Sequence, residues 1–237
     1  MQDKIINTVR VAALICVAIV VSGCVKTFHT AANFKPPTAE TRVLLMPADV
    51  ELSLLTASGI LEPNAEWTDQ GKKNVNAAIL SHLAAKNIKV ATYGEDTKNT
   101  ELREEDVQLV KLHAAVGGSI LIHKYIPDMV LPSKKGGFDW TLGNSVTTLR
   151  NRYNADYALF IHMRDSFAST GRAVAILAAA ILRVGLQGGQ QIGFASLVDL
   201  KTGEVSWFNL HRAGSGDLRQ EDSANEAIKS LMKELPI

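Results

Sequence analysis

The segment from Asp156 to Arg164 constrains the fold more than any other part of the chain. Its side chains alternate between two faces, as on a β-strand, and both faces are largely apolar near the middle. One face carries Tyr157, Leu159, Ile161 and Met163, and the other carries Ala158, Phe160, His162 and Arg164. Such a strand has to be covered on both sides. The segment therefore predicts a central strand in a sheet that other elements cover on both faces.

Strand and helix patterns alternate before this segment. Short apolar or alternating runs indicate strands, and apolar residues at helical spacing indicate amphipathic helices. The predicted strands are Arg42–Pro47, Val50–Leu54 and Ile88–Tyr93, and the predicted helices are Thr68–Lys86, Glu101–His123 and Ser145–Tyr153. We expect Thr68 to cap the first helix and Gly117-Gly118 to kink or end the second. If the strands that flank the first helix are parallel, a right-handed crossover joins them.

The C-terminal part of the chain predicts a hairpin followed by a helix. Ile192–Leu200 and Val205–His211 are rich in β-forming residues, and the four residues between them include Gly203, which can supply the positive φ of a tight turn. Glu221–Leu235 has the apolar spacing of a final helix. The predicted fold class is therefore α/β (α+β), with a mixed β-sheet flanked by helices.

This hairpin resembles one found in known bacterial domains. The stretch Ala195–Trp207 is similar to the hairpin of small periplasmic α/β domains, which occur in the curli secretion channel lipoprotein, in lipoprotein activators of penicillin-binding proteins and in the N-terminal domain of the Tol translocation protein. The whole chain after its N-terminus resembles proteobacterial envelope lipoproteins. The resemblance implies a fold. It implies no catalytic residues, because those relatives differ widely in function.

The N-terminus has the three parts of an export signal. Lys4 and Arg10 precede an apolar core of about eleven residues, Val11–Val21, which is too short to span a bilayer. The tetrapeptide Val21-Ser22-Gly23-Cys24 resembles the bacterial lipobox, which implies cleavage before Cys24 and diacylglycerol on its sulfur. The alternative is an ordinary secretory signal with a chance cysteine. We predict that residues 1–23 are a lipoprotein signal peptide and that Cys24 is lipidated.

Residues 24–41 are predicted to be the lipid anchor and a flexible tether, because Pro36-Pro37 cannot continue a helix or donate to a ladder. Residues 42–237 then form a single α/β domain. Cys16 is discarded with the signal and Cys24 carries lipid, so no disulfide is expected. Val25 stands where aspartate would resemble an inner-membrane retention signal, which favours the outer membrane, on its periplasmic side.

The composition excludes a nucleic-acid partner. The chain has 25 basic and 24 acidic side chains, and they form no basic patch. Contact with the membrane is therefore expected through the lipid and not through a polybasic surface.

Ten consecutive apolar residues, Ala173–Leu182, lie between Arg172 and Arg183. Their alanine, leucine and isoleucine content predicts a helix of about 15 Å that is apolar on almost every side and too short to span a bilayer. The favoured interpretation is a helix buried in the core. A contact with a partner subunit or with the membrane is the main alternative. A pore-forming strand fits poorly because the segment does not alternate. The two arginines are expected on nearly the same helical face.

No group of residues in the sequence has the spacing of an active site. His113, His123 and His162 lack nearby cysteines or a recognisable nucleophile, so packing or surface roles are expected. The glycines from Gly185 to Gly193 and the segment Gly214–Asp217 are interpreted as loops. Trp67, Trp140 and Trp207 are interpreted as core or interface anchors. The sequence therefore predicts no catalytic residue, no cofactor-binding residue and no metal ligand.

These observations predict a lipid-anchored protein of the cell envelope that acts as a non-enzymatic accessory or binding subunit of a transport, secretion or cell-wall complex. A protein partner in the envelope is expected, and Ala173–Leu182 could also support a homo-oligomer. The alternatives are an oligomeric lipoprotein that resembles a secretion channel and a periplasmic enzyme whose residues are not recognised.

Overall fold

The longest strand, β6 (Tyr157–Ala168), is at the centre of the fold. The computed structural model describes residues 27–32, 34–38, 40–86, 89–95, 103–134 and 136–237. The predicted signal peptide and Cys24 lie outside these residues. Along β6, Leu159, Ile161 and Met163 contact one hydrophobic cluster, while Ala158 and Phe160 contact a second cluster on the other face. The prediction of a central strand that is covered on both faces is confirmed.

Among the described residues, eight strands form one mixed sheet with the order β1-β8-β7-β6-β2-β5, in which β3 pairs with β6 and β4 pairs with β3. The remaining strands are β1 (Phe28–Thr30), β2 (Arg42–Leu45), β3 (Asp49–Leu55), β4 (Leu61–Pro63), β5 (Lys89–Thr92), β7 (Gln191–Asp199) and β8 (Val205–Ala213). β2 and β3 run parallel to β6, and β5 runs parallel to β2. β4 is antiparallel to β3, and β7, β8 and β1 are antiparallel to β6, β7 and β8, respectively.

β2 and β3 pair with the same edge of β6, one after the other. β2 pairs with β6 up to Leu45 opposite Leu159, and β3 resumes the pairing with Asp49 opposite His162. Pro47 lies between them, and because proline has no N–H it cannot donate to the ladder. The sheet therefore continues from β2 to its partner β5 beside the start of β6, and from β3 to its partner β4 beside the end of β6.

In the part of the chain that the structure describes, five α-helices lie around the sheet: α1 (Ala65–Ala84), α2 (Glu104–Tyr125), α3 (Thr147–Tyr153), α4 (Thr170–Ile181) and α5 (Glu221–Leu231). Helices α1 and α5 pack on one face with residues such as Ile79 and Ile228. Helices α2 and α3 pack on the other face, together with Phe138 and Leu142 from the connecting loop. The predicted fold class, a mixed sheet flanked by helices, is confirmed.

The hairpin forms where the sequence predicts it. β7 and β8 are joined by a turn in which Gly203 has a φ of 76°. The carboxylate of Asp199 accepts hydrogen bonds from the backbone N–H groups of Lys201 (2.7 Å) and Thr202 (3.0 Å). A glycine and an aspartate at these places are typical of tight turns. The final helix is also present, although it ends at Leu231 and not at Leu235.

Two further predictions about the helices are wrong. Helix α1 begins one turn early, because the side chain of Asn64 accepts a hydrogen bond from Trp67 N–H (3.0 Å) and caps the helix. The hydroxyl of Thr68, the predicted cap, instead accepts a hydrogen bond from Leu52 N–H (2.9 Å). Helix α2 continues through Gly117-Gly118 to Tyr125, so these glycines do not end it.

The described part of the predicted tether, 24–41, is packed against the domain. β1 pairs with β8, which would otherwise present an open edge, and Ala31 is buried. Phe34 packs against the core with its ring 6.4 Å from that of Tyr157. These side chains gain from burial on the sheet, and a free coil would leave them in water. β1, Ala31 and Phe34 are therefore in contact with the sheet.

Candidate functional site

Helix α4 begins where β6 ends. Ser169 caps it, because its hydroxyl accepts a hydrogen bond from Arg172 N–H at 3.1 Å. The guanidinium of Arg172 donates to the carbonyl of Gln187 (2.8 and 3.0 Å) and to the carbonyl of Ala57 (3.4 Å). This one side chain therefore joins the start of α4 to the β3–β4 turn and to the segment that returns to β7.

A Schellman motif ends α4. Arg183 N–H donates to Ala180 (3.0 Å), Val184 N–H donates to Ala179 (2.9 Å), and Arg183 has a φ of 57°. Arg183 therefore lies beyond the helix in the left-handed region, and the helical relationship predicted between Arg172 and Arg183 does not exist.

Large apolar side chains on α4 and the turn after it are exposed. The exposed fraction is 61% for Val174, 69% for Leu177, 84% for Ile181, 75% for Leu182 and 52% for Val184. We call these five residues the α4 surface. Within Thr170–Ile181, Ala179 is the one buried residue. Neighbouring exposed apolar side chains of this kind on a folded domain indicate a site of contact with a protein or a membrane.

The interpretation of Ala173–Leu182 as a helix buried in the core is wrong. Both faces of the sheet are already covered, one by α1 and α5 and the other by α2 and α3. Helix α4 starts only after β6 has ended at Ala168, so it lies at the end of the strands. The helix itself is confirmed, which excludes the pore-forming strand for this segment.

A second group of interest lies on the α2 side of the sheet. The Asp49 carboxylate accepts two hydrogen bonds from the Arg164 guanidinium (both 3.0 Å) and one from Nδ1 of His162 (2.8 Å). Burial by itself raises the pKa of Asp49, but these hydrogen bonds outweigh it and hold the pKa well below its usual range. The His162 ring stacks on Phe194 at 4.6 Å. Asp49 therefore joins His162 and Arg164 in one hydrogen-bonded cluster, which is typical of a structural role.

A third group joins the centre of the sheet to α5. The buried Asp165 carboxylate accepts hydrogen bonds from the Gln191 amide (3.1 Å) and from Leu218 N–H (3.0 Å). The side-chain oxygen Oε1 of Gln191 lies 2.9 Å from Nε2 of His211. Nδ1 of His211 lies 3.0 Å from the Ser230 hydroxyl. Burial raises the pKa of Asp165 and lowers the pKa of His211. The amide of Gln191 stands where a catalytic triad has a carboxylate, so it does not stabilise a positively charged His211, and these contacts hold α5 in place.

The histidines and tryptophans occupy the packing and surface roles that the sequence predicts. His113 is buried, with Nε2 2.9 Å from the Ser196 hydroxyl, and Nδ1 of His123 lies 2.7 Å from the Met129 carbonyl. Trp207 is fully buried, while Trp67 and Trp140 pack at the edge of the core. Among the described residues, no group of His, Cys, Asp and Glu is arranged to hold a metal ion.

Sequence patterns alone do not identify Asp49 or Arg164 as members of a cluster. A signal was available, since His162 and Arg164 are polar residues on one face of an otherwise apolar strand. Their partner Asp49 lies more than one hundred positions away in the sequence, so the pairing could be found only from the fold.

No helix among those described has the combined length and apolarity to cross a membrane. No protein-family model matches the chain, and no curated protein sequence matches it.

Solved structures with a similar arrangement include a variant of the PelC dodecamer from Paraburkholderia phytofirmans, at 10% identity and a TM-score of 0.37, over 89% of this chain and 99% of that one. The LpoB C-terminal domain from Salmonella enterica is similar at 12% identity and a TM-score of 0.27, over 77% and 87% of the two chains. A lipoprotein from Neisseria meningitidis is similar at 12% identity and a TM-score of 0.30, over 74% and 81%. All these TM-scores lie below 0.5, so function has to be inferred from the residues of this chain.

Proposed function

We propose that this chain is a lipid-anchored protein of the bacterial cell envelope, and that it acts as a non-enzymatic accessory subunit through contact with other envelope components. The exposed α4 surface is the observation that carries the proposal. Five large aliphatic side chains on one helix and the turn after it are 52% to 84% exposed, and Leu177, Ile181 and Leu182 are the three most exposed large apolar side chains of the described residues. Such a surface serves binding.

The polar groups of the domain support a binding role. Both the Asp49 cluster and the Asp165 cluster consist of side chains that hydrogen-bond one another. A catalytic group needs a free acceptor, donor or nucleophile within reach of a substrate. The sequence pattern agrees, because it contains no recognisable catalytic motif.

The anchor would act by restricting where the domain can be. Cys24 precedes Thr27, the first described residue, by three positions, which span at most about 11 Å when fully extended. Lipid on Cys24 would therefore hold the domain against the membrane, with less freedom than a long tether allows. Confinement to this layer raises the effective concentration of the domain toward membrane and cell-wall complexes. We expect the outer membrane, since aspartate does not follow Cys24.

Metabolic labelling with palmitate tests the anchor. The wild-type protein is expected to incorporate label and to remain with the membrane fraction, whereas Cys24→Ala is expected to lose the label completely. The acyl chains of the diacylglycerol on Cys24 would add about 0.8 kcal/mol of membrane affinity per buried methylene, so release from the membrane should follow loss of the lipid. Cys16→Ala is the control, because it lies before the predicted cleavage point. A Cys24→Ala protein that is labelled as strongly as wild type would refute the anchor.

Crosslinking in native envelopes tests the accessory role. After mild crosslinking and purification, a stoichiometric envelope protein is expected to accompany the wild-type chain. The same purification from Cys24→Ala cells is the control, because the proposed partner should be lost when the domain leaves the membrane. Recovery of the chain with no stoichiometric protein at all would count against an accessory subunit.

A further inference from the structure

We propose that the α4 surface lies on the lipid bilayer to which Cys24 is attached, with Val174, Leu177 and Ile181 in the interfacial region between headgroups and acyl chains. This inference rests on the proposed lipid anchor and deepens it. The domain would then be held at two points, by its N-terminal lipid and by α4, and would have a fixed orientation on the membrane.

The topology places the anchor and α4 at the same end of the sheet. β1 runs antiparallel to β8, so the start of β1 faces the carboxyl end of β8, which is Ala213. Ala213 pairs with Gln191, and Gln191 pairs with Asp165 close to the carboxyl end of β6. Helix α4 follows directly from that end of β6. The start of β1, where the chain enters the sheet, and the start of α4 therefore lie toward the same end of the strands.

The distance between the anchor and this end is short. Thr27 is fixed beside β8, because its carbonyl accepts a hydrogen bond from Leu210 N–H at 3.1 Å. Only two residues separate Thr27 from Cys24, so the lipidated sulfur cannot be more than about 15 Å from Thr27 by covalent geometry alone. A bilayer that holds this lipid has to lie next to the domain.

The chemistry of the surface fits lipid better than protein. No side chain from Ala173 to Leu182 can donate or accept a hydrogen bond, and the segment contains no aromatic residue. Protein interfaces carry about one hydrogen bond per 100–200 Å² and are enriched in tyrosine, tryptophan and arginine. A purely aliphatic surface offers none of these contacts, whereas acyl chains require none.

The charges around α4 also fit a bilayer. Between Asp165 and Asp199 the chain has no acidic residue, and its two charged side chains, Arg172 and Arg183, are both positive. Anionic headgroups therefore meet no repulsion from this segment. A helix of 12 residues is about 18 Å long, so it can lie in the interface but cannot span the membrane.

A fluorophore at residue 177 tests the inference on the full lipidated protein. Cys24 is blocked by lipid and Cys16 is removed with the signal, so Leu177→Cys would carry the one free thiol of the mature protein. After labelling with an environment-sensitive dye, the protein is reconstituted into vesicles of phosphatidylethanolamine and phosphatidylglycerol. We expect a blue shift of the emission and a loss of intensity when a quencher is carried on the lipid chains.

Leu80→Cys is the matched control. Leu80 is also an exposed leucine on a helix, but it lies near the carboxyl end of α1, just before the chain enters β5 at the opposite end of the sheet. Its dye is expected to keep the emission of a solvent-exposed probe and to escape the lipid-borne quencher. Both positions are more than a third exposed, so neither substitution removes a core side chain.

The outcomes separate this inference from the proposed function. If the protein is lipidated and vesicle-bound but the dye at residue 177 behaves like the dye at residue 80, the bilayer contact is refuted while the anchor stands. If the dye at residue 177 is dehydrated in native envelopes but stays in water on protein-free vesicles, the surface belongs to a protein partner and the inference is also refuted. A protein that takes up no palmitate at all would refute the anchor itself.

Discussion

Replacing Gly117 by alanine is expected to destabilise the domain, whereas the same change at Gly118 is expected to stabilise it. A Cβ atom at residue 117 would lie 2.0 Å from Cε2 and 2.4 Å from Cζ of the Phe194 ring. A Cβ atom at residue 118 would meet nothing within 4 Å. The two glycines are neighbours in α2, so they share the same gain in helix propensity, about 1 kcal/mol.

The Phe194 ring cannot turn aside. It is buried and stacks on His162 at 4.6 Å and on Phe208 at 5.4 Å. The added methyl group must therefore push α2 away from the sheet, and overpacking of this kind costs about 1–3 kcal/mol. Urea unfolding curves should place the free energy of unfolding of Gly117→Ala about 1–3 kcal/mol below that of Gly118→Ala.

A second substitution distinguishes this contact from other effects of the methyl group. Adding Phe194→Leu to Gly117→Ala removes the ring atoms that the methyl group would meet. The double variant is expected to lose less stability than the sum of the two single variants, because the residues are in contact. Equal stability of Gly117→Ala and Gly118→Ala, or strict additivity with Phe194→Leu, would show that the helix does not pack as described.

Gly117 also shows what the sequence can and cannot predict. Two consecutive glycines in a helical pattern indicate a break on propensity alone, yet the helix continues because Gly117 gives Phe194 room against the sheet. Propensity is a local quantity, and tertiary packing overrides it. The ring that needs the space is in β7, far away in the sequence.

The difference between local sequence signals and tertiary packing also explains which other elements were predictable. β6 and the β7–β8 hairpin were predictable, because alternation and turn residues are local signals. The helix over Ala173–Leu182 was predictable from composition, but its exposure was not. The exposure of α4 depends on whether a face of the sheet is uncovered, and α1, α2, α3 and α5 cover both faces. β1 was missed because a strand of three residues gives too short a pattern, and its pairing with β8 is a property of the fold.

Acidification is expected to destabilise the domain through His113. Its ring is fully buried between Phe160 (5.0 Å) and Phe194 (5.3 Å). Burial lowers the pKa of His113 to about 3, with a further decrease from His162 and a smaller opposing effect of Asp49. In the unfolded chain the same ring has a pKa near 6.5. Below pH 6.5 the unfolded state therefore binds a proton that the native state does not bind.

The sign of the effect follows from this difference. The stabilising contribution of the neutral ring is complete above pH 6.5 and is lost as the pH falls toward 3, at up to about 1.4 kcal/mol per pH unit. Between pH 6.5 and pH 4.5 the loss amounts to about 2 kcal/mol. The lowered pKa of Asp49 places its own loss of stability below pH 4, outside this interval. Asp165 has a raised pKa, so its contribution increases on acidification, in the opposite direction.

The variant His113→Gln isolates the contribution of His113. Glutamine can still hydrogen-bond the Ser196 hydroxyl but does not titrate, so urea unfolding curves of the variant should lose about 2 kcal/mol less than wild type between pH 6.5 and pH 4.5. Other groups titrate alike in both proteins and cancel in the comparison. Ser196→Ala is the control: it removes the hydrogen-bond partner and lowers stability at every pH by about 1 kcal/mol, yet it leaves the ring buried and the slope unchanged. Parallel pH profiles for wild type and His113→Gln would mean that the ring is protonated or solvated in the native domain, which contradicts its position between Phe160 and Phe194.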